Sequence, residues 1–274
     1  MKAYEIWDDE NQLSIGVLQY FDKEQRYIIE LQENLDEWTA PLLFTNYVKR
    51  GIYTIPRQES YLWVKERVIP SGRQNIDDIL RNHKMAAYDE MRMLELARGK
   101  CSQDSMSIKK IDTLPSFVVE RQKKNLVDCC MCDYHVVLCF FADHVVKKLA
   151  LEQLKDVSGI DKVMQNQPLF ESGMVGTGGY CLTFNDSIDI PAKFLYDVKN
   201  EMPIESKDFE TYVQKNIWDT TQVCDALSCT RQNLSYMLRK ESLSPLKTDV
   251  KGNLYKKGDV LKINGKKLIN TNMV

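Results

Sequence analysis

Histidine is scarce in this chain of 274 residues: only His83, His135 and His144 are present. That leaves little material for a histidine-based acid, base or nucleophile relay, and no Ser/His/Asp set converges along the sequence. Apolar runs are short, and none approaches the length that spans a bilayer. The start, Met1 to Trp7, lacks the basic, apolar and small-residue order of a secretory leader. A cytoplasmic location without membrane contact is expected. No repeat or low-complexity tract interrupts the chain.

A phosphate-binding glycine loop is also missing. Gly173 to Gly179 lacks the Lys-Ser/Thr pair of such loops and leads into a strand-like run, so a hairpin turn is the expected role. Cysteine, by contrast, is well represented, at Cys101, Cys129, Cys130, Cys132, Cys139, Cys181, Cys224 and Cys229. These residues sit mostly inside apolar runs rather than at the loop spacing of a disulfide framework, which reads as reduced, buried thiols. Cys129-Cys130-Met131-Cys132 contains a Cys-x-x-Cys with His135 nearby. A structural zinc site wants four ligands, and the later candidates His144 and Cys181 have no paired spacing. Asp186 and Asp189 could serve acid–base chemistry or hold Mg²⁺, but turn and capping roles are commoner for such residues. The expectation is a non-enzyme with no catalytic residue, no metal and no cofactor. Trp38, Trp63 and Tyr88 are expected in a core or an interface rather than as a base-stacking platform.

The net charge of −2 conceals an asymmetry. From Lys215 to Val274 there are 11 Lys and Arg against 5 Asp and Glu, a net of +6, which leaves −8 for the rest. A polyanion partner is implied for the C-terminal segment alone.

Three blocks follow from the hydrophobic pattern. In the first, Ala3 to Trp7, Leu13 to Tyr20 and Tyr27 to Glu30 read as strands of a meander, and Asn75 to Leu80 and Tyr88 to Leu96 as helices with a break near His83. In the second, Leu126 to Asp128, Val136 to Phe141 and Val145 to Lys147 read as strands with a turn at Ala142-Asp143-His144. Leu149 to Val157 reads as a helix, Tyr180 to Phe184 as a strand and Pro191 to Val198 as a short helix. The third, from Phe209 on, reads as helical with a closing strand pair.

The segment Trp218 to Lys240 is the most informative. Thr220 can cap a first helix, in which Val223 and Leu227 share a buried face and Ala226 permits close approach of a second. Ser228-Cys229 makes a turn. Thr230 can cap the second helix, in which Leu234 and Leu238 repeat the buried spacing. The opposite face then carries Arg231, Gln232, Asn233, Ser235, Tyr236, Arg239 and Lys240. Arginine pairs bidentately with guanine and Gln or Asn with adenine, while Ser, Tyr and Lys hold phosphates. The alternative is a structural helical hairpin with a solvated basic face. The pattern, with Lys251 to Val260 after it as a hairpin ending in an aromatic and an Asp, resembles the helix-turn-helix of excisionase-like and MerR-like regulators over about 45 residues. Arg231, Gln232, Asn233 and Tyr236 are then expected to read bases. Lys215, Arg239, Lys240, Lys247 and Lys256 are expected to hold phosphates, with Thr230 and Ser235 on the same surface.

Two weaker resemblances complete the picture. The second block resembles a small bacterial domain of unknown function that often precedes a helix-turn-helix. The match runs through Val127, Asp133-Tyr134, Leu138, Phe140-Phe141-Ala142-Asp143, Pro168-Leu169-Phe170, Asn185-Asp186, Ile188-Asp189-Ile190 and Leu195-Tyr196. His144 replaces its usual glycine and Phe184 its usual Trp. The first block, through Arg67-Val68-Ile69-Pro70-Ser71-Gly72-Arg73-Gln74-Asn75-Ile76 and Gly99-Lys100-Cys101-Ser102-Gln103-Asp104, resembles the N-terminal subdomain of HipA-type kinases, although nothing after it resembles a kinase domain. That resemblance implies a partner kinase of a toxin–antitoxin pair.

The expected architecture is α+β: two small α+β domains, 1–114 and 115–205, then a helical helix-turn-helix domain at 209–265 and a tail at 266–274. The expected function is a bacterial, sequence-specific repressor of its own operon, a homodimer bound to double-stranded DNA. The alternative is an antitoxin, or a mobile-element inhibitor, that restrains a HipA-like kinase or another effector through its N-terminal domains.

Overall fold

Three alternating stretches at the N-terminus form the strands that their pattern predicts. In the computed structural model, which describes residues 1–250 and 252–264, they are β1 (Lys2–Asp8), β2 (Leu13–Phe21) and β3 (Arg26–Leu31). The tail expected at 266–274 lies outside the described residues, as do Lys251 of the expected C-terminal hairpin and Gly265. The fold is mixed α+β with several small sheets, and the chain divides into two compact units, Met1–Val119 and Glu120–Val274. Among the described residues no helix is long and apolar enough to cross a membrane.

In the first unit the meander gains β4 (Thr54–Ile55) at one edge and β5 (Met106–Ile111) at the other, giving the antiparallel order β4-β3-β2-β1-β5. Side chains alternate across a strand, so one face collects Tyr4, Ile6, Leu18, Tyr27 and Ile29. The helices are α1 (Thr45–Lys49), α2 (Arg57–Lys65), α3 (Ile76–Asn82) and α4 (Glu90–Ala97). Trp63 and Val64 of α2 and Met91 and Leu94 of α4 join that core. The other face buries Ala3 and Val17 against Val118 of α5 (Ser116–Gln122). The helix expected to break near His83 does so, with His83 at the C-cap of α3.

Of the three aromatic residues expected in a core or interface, Trp63 is buried and Tyr88 half-buried, its hydroxyl donating to Ile69 O at 2.8 Å. Trp38 is 85% exposed. The Arg67 guanidinium lies 3.8 Å from the Trp63 ring centroid, donates to Trp63 O at 3.0 Å and pairs with Asp104. Arg67 thus joins the two stretches, Arg67 to Ile76 and Gly99 to Asp104, that are far apart in sequence.

The second unit opens with the antiparallel meander β6 (Leu126–Met131), β7 (Val136–Phe141) and β8 (Val146–Ala150). The helix expected at Leu149 to Val157 does not form. Leu149 pairs with Val137 and Ala150 with Val136 as the end of β8, and only a 3₁₀ turn, Leu151–Leu154, follows. Leu151 and Leu154 are both buried at the three-residue spacing of that turn. Then come α6 (Ile160–Met164) and α7 (Gln167–Glu171). A second sheet, β9 (Met174–Val175), β10 (Cys181–Phe184) and β11 (Ile188–Pro191), leads to α8 (Ala192–Asp197). The glycine-rich stretch connects β9 to β10 as a hairpin. Asn185 and Asp186, at φ 49° and 50°, are the left-handed residues of the three-residue β10–β11 turn, which Ser187 closes by donating its N–H to Phe184 O at 3.1 Å.

The last part comprises α9 (Ser206–Asn216), β12 (Ile217–Trp218), α10 (Thr220–Ala226), α11 (Arg231–Arg239), β13 (Lys247–Val250), β14 (Gly252–Lys256) and α12 (Lys257–Asn264). The expected strand pair is one strand richer, since β12 pairs with β14 to give the order β12-β14-β13. Helix α12 was not legible in advance. Its Val260 and Ile263 complete a small core with Val223, Leu227, Leu234, Leu243 and Tyr255.

The cysteines depart from uniform burial. Cys129, Cys130, Cys132, Cys139 and Cys181 are buried, while Cys101, Cys224 and Cys229 are half-exposed and all eight are free. Along β6 the Cys-x-x-Cys is split. Cys129 enters the core of Phe141 and Leu182, whereas Cys130 and Cys132 join a separate cluster with Tyr212. Among the described residues no group of three or more His, Cys, Asp or Glu could hold a metal ion.

The β7–β8 turn tests the local reading directly. His144 occupies φ 70°, where a three-residue hairpin loop favours glycine. Replacing His144 with Gly should raise stability by about 1 kcal/mol, because a left-handed side chain costs more than the extra freedom of an unfolded glycine. Thermal melts of the two proteins measure the difference, and a lower Tm for His144→Gly contradicts it.

Candidate nucleic-acid interface

Helix α9 turns a polar face inward. Asp208, Tyr212, Lys215 and Asn216 recur at helical spacing and each bonds to the β6–β8 sheet. Lys148 Nζ donates to Asp208 Oδ2 at 2.8 Å. The Tyr212 hydroxyl donates to Asp128 Oδ2 at 2.9 Å, and Asn216 Nδ2 to Asp128 Oδ1 at 3.0 Å and Cys129 O at 2.8 Å. Lys215 Nζ donates to Met131 O at 2.8 Å. The outward face carries Phe209, 68% exposed, and Val213, 41% exposed. The helix is therefore seated by its polar residues.

Asp128 is the hub of this contact. Burial pushes its carboxyl above the ordinary 3.8, against the hydrogen bonds from Tyr212 and the Cys129 N–H, the Lys257 charge and the bond from Asn216. Burial also works against ionisation of Asp208, but there the Lys148 hydrogen bond and charge prevail and hold the carboxyl below its ordinary value. Gly258, in the first turn of α12, lies so close that a Cβ there would sit 3.3 Å from the Asp128 carboxyl carbon. Strand β6, α9 and α12 thus meet at one carboxyl. Beside it opens a cleft of about 230 Å³ lined by Asp128, His144, Tyr212, Lys256, Asp259 and Lys262.

Beyond α9 the chain makes two short helices. Asp219, not Thr220, caps α10: its Oδ1 accepts from the N–H of Thr221 and of Gln222 at 2.8 Å, and Gln222 Oε1 accepts from Asp219 N at 3.0 Å. A carboxylate one residue earlier reaches two of the free N–H groups at the helix start. Helix α11 is capped as expected, with Thr230 Oγ1 accepting from Asn233 N at 3.2 Å. Leu234 is buried and Met237 and Leu238 half-buried, so α11 is held by one apolar edge.

The remaining side chains of α11 stand in solvent. Arg231, Gln232, Asn233, Ser235, Tyr236 and Arg239 are exposed, as are Thr230 before them and Lys240 after them. Arg231, Ser235 and Arg239 form one row, in which Ser235 Oγ donates to Arg231 O at 3.0 Å and Arg239 Nε to Ser235 O at 3.4 Å. Lys240 Nζ lies 5.7 Å from the Tyr236 ring centroid. Among the described residues, none of Arg231, Arg239, Lys240, Lys247 and Lys256 is held in an ion pair. The structure thus brings eight of the eleven anticipated residues together on and around α11. Lys247 lies on β13 and Lys256 on β14, at the cleft, while Lys215 is engaged on β6.

Pattern reading missed Asp128 and its partners. One signal was available, a carboxylate inside the apolar run Leu126 to Met131; its side-chain partners Tyr212 and Asn216 come from 84 and 88 residues away and leave no local trace. Asp128→Ala leaves the Tyr212 hydroxyl, the Asn216 amide and the Cys129 N–H without an acceptor and should cost about 2–3 kcal/mol in denaturant unfolding. Because the folded chain holds the Asp128 proton more tightly than the unfolded chain, ionisation of this carboxyl opposes folding. Its contribution is most favourable below about 3.8 and is lost as pH rises through the raised folded value. Asp128→Asn should remove that slope, and an unchanged slope would exclude Asp128 as its source. Comparison of the chain with family models, with curated proteins and with solved structures finds no match.

Proposed function

We propose that the chain is a sequence-specific DNA-binding regulator that reads double-stranded DNA through α10, the turn and α11 as a helix-turn-helix, and represses its own operon. The observation that carries this reading is the α11 surface: a row of Arg, Gln, Asn, Ser and Tyr side chains, exposed and free of ion pairs among the described residues, on a helix whose buried edge is Leu234 with Met237 and Leu238. Arginine and amide side chains match the donor and acceptor pattern of the major groove, while hydroxyls and lysines suit phosphates. The net charge of +6 from Lys215 onward favours the same polyanion. The β13–β14 hairpin, which carries Lys247, supplies a phosphate arm beside the helices. One such reader spans few base pairs, so two copies on a two-fold operator are needed for specificity. Arg231, Gln232, Asn233 and Tyr236 are the base readers in this scheme, and Arg239, Lys240, Lys247 and Lys256 hold phosphates.

A second reading, restraint of a HipA-like kinase by the first unit, is favoured by one observation. Leu42 is 93% exposed and Trp38 85% exposed, four residues apart, although the unit has a well-filled core of its own. Large exposed apolar side chains are the usual anchors of a protein partner.

Titration of the full-length protein and its Arg231→Ala variant against its own promoter and against random DNA, over a salt series, tests the first reading. Arg231→Ala should weaken promoter binding by about 1–3 kcal/mol and random binding much less. Equal loss on both DNAs demotes Arg231 to a phosphate contact, and no promoter preference by the parent protein overturns the reading. For the second, full-length protein with Trp38→Ala and Leu42→Ala should lose co-purification with a HipA-like kinase encoded alongside it while keeping its promoter affinity. Undiminished co-purification rejects that surface.

A further inference from the structure

The turn between α10 and α11 holds two thiols against each other. Leu227 ends α10 and Ser228 adopts the left-handed conformation at φ 47°. Both backbone bonds of a left-handed helix stop are present: Cys229 N–H donates to Cys224 O at 2.9 Å, and Ser228 N–H to Asp225 O at 3.1 Å. In that geometry the side chain three residues before the cap meets the one two residues after it, commonly as an apolar contact. Here both are cysteine, and both pack against the same small core. Both are half-exposed, within reach of a small solute. The other thiols are placed differently: five are buried, and Cys101 points at Asp104 Oδ1, 3.5 Å away.

We propose that Cys224 and Cys229 are a redox-modification site, at which a peroxide closes a disulfide across the turn and displaces α11 from its DNA-reading pose. The regulatory half of this inference rests on the DNA-binding reading, and the chemical half does not. Burial, and then the adjacent Cys229 sulfur, push the Cys224 thiol up, which suits Cys224 to the second, resolving step. The Cys229 sulfur attacks one oxygen of hydrogen peroxide. The O–O bond breaks, hydroxide leaves and takes up the thiol proton as water, and Cys229 becomes a sulfenic acid. The Cys224 sulfur then attacks the sulfenic sulfur. The S–O bond breaks, the Cys224 proton leaves with the hydroxyl as a second water, and the disulfide remains. Two thiols and one peroxide give one disulfide and two waters, with two electrons passing from sulfur to oxygen. Thr230 and Arg231 directly follow Cys229, and Arg231 Nη2 reaches back to Thr221 Oγ1 at 3.5 Å, so the start of α11 moves with the turn.

The test uses full-length protein oxidised with hydrogen peroxide or kept in a thiol reductant, followed by non-reducing peptide mapping and promoter titration. The expected result is a Cys224–Cys229 linkage, absent from Cys224→Ser and Cys229→Ser, and promoter binding weaker by about tenfold, the discrimination of one bidentate base contact. Reductant should restore the affinity, and Cys229→Ser should not respond to peroxide. Free thiols at both positions after oxidation, or a bond from either to Cys101, overturn the site. A mapped linkage with unchanged promoter affinity overturns the displacement of α11. A mapped linkage in a protein whose reduced form has no promoter preference sinks the DNA-binding reading and leaves the modification site standing.

Discussion

The Asp128 carboxyl accepts from a phenol, a side-chain amide and a backbone N–H, and three segments of the second unit converge on it. Together with the Lys148–Asp208 pair it seats α9 on the β6–β8 sheet by directed bonds rather than by apolar area. Apolar packing tolerates sliding, whereas a buried hydrogen-bonded network tolerates little, because each unmet donor or acceptor carries its full desolvation cost. Breaking a buried ion pair such as Lys148–Asp208 typically costs about 3–5 kcal/mol. The register of α9 is thereby set, and with it the start of β12, whose Ile217 follows Asn216 directly and pairs with Lys256 of β14. The small C-terminal core is built on that strand.

The proposed reader needs little beyond this anchoring. Its core is seven buried residues, and α11 adds Leu234 to it. Both helix ends are closed by the same device. Ser228 after α10 and Glu241 after α11 take left-handed conformations, and the N–H groups of Cys229 and Ser242 reach back five residues, to Cys224 O and Met237 O. The Ser242 hydroxyl adds a bond to Met237 O at 3.0 Å, and the exposed polar side chains of α11 take no part in this closure. The thiol contact across the first of these turns adds chemistry at the point where the angle between the helices is set.

In the first unit a different interaction performs the equivalent task. The Arg67 guanidinium sits over the Trp63 ring and bonds both the Trp63 carbonyl and Asp104, a combination that suits a planar, multidentate cation. The loop after α2 and the segment leading to β5 are held together by it, while Trp38 and Leu42 are left outside the core.

Local pattern carried much of this protein. Alternation and short apolar runs between turns located β1 to β3 and β6 to β8, helical spacing located α3, α4, α10 and α11, and the Thr230 cap was legible because a hydroxyl before an apolar-periodic run has one common role. The polar row on α11 could be listed from sequence because every apolar residue of that helix faces one way. Long-range pairing decided the rest. Leu149 became the end of β8 because Val137 lies opposite it, and α9 sits on its polar side because Asp128 and Lys148 wait on strands 60 to 88 residues away. Lys215 was drawn to a β6 carbonyl for the same reason. Periodicity reports which residues share a face, but the partner that makes a face buried is chosen by tertiary contact. In α9, where that partner is polar, the sequence determined the helix and only the tertiary structure decided which side of it faces in.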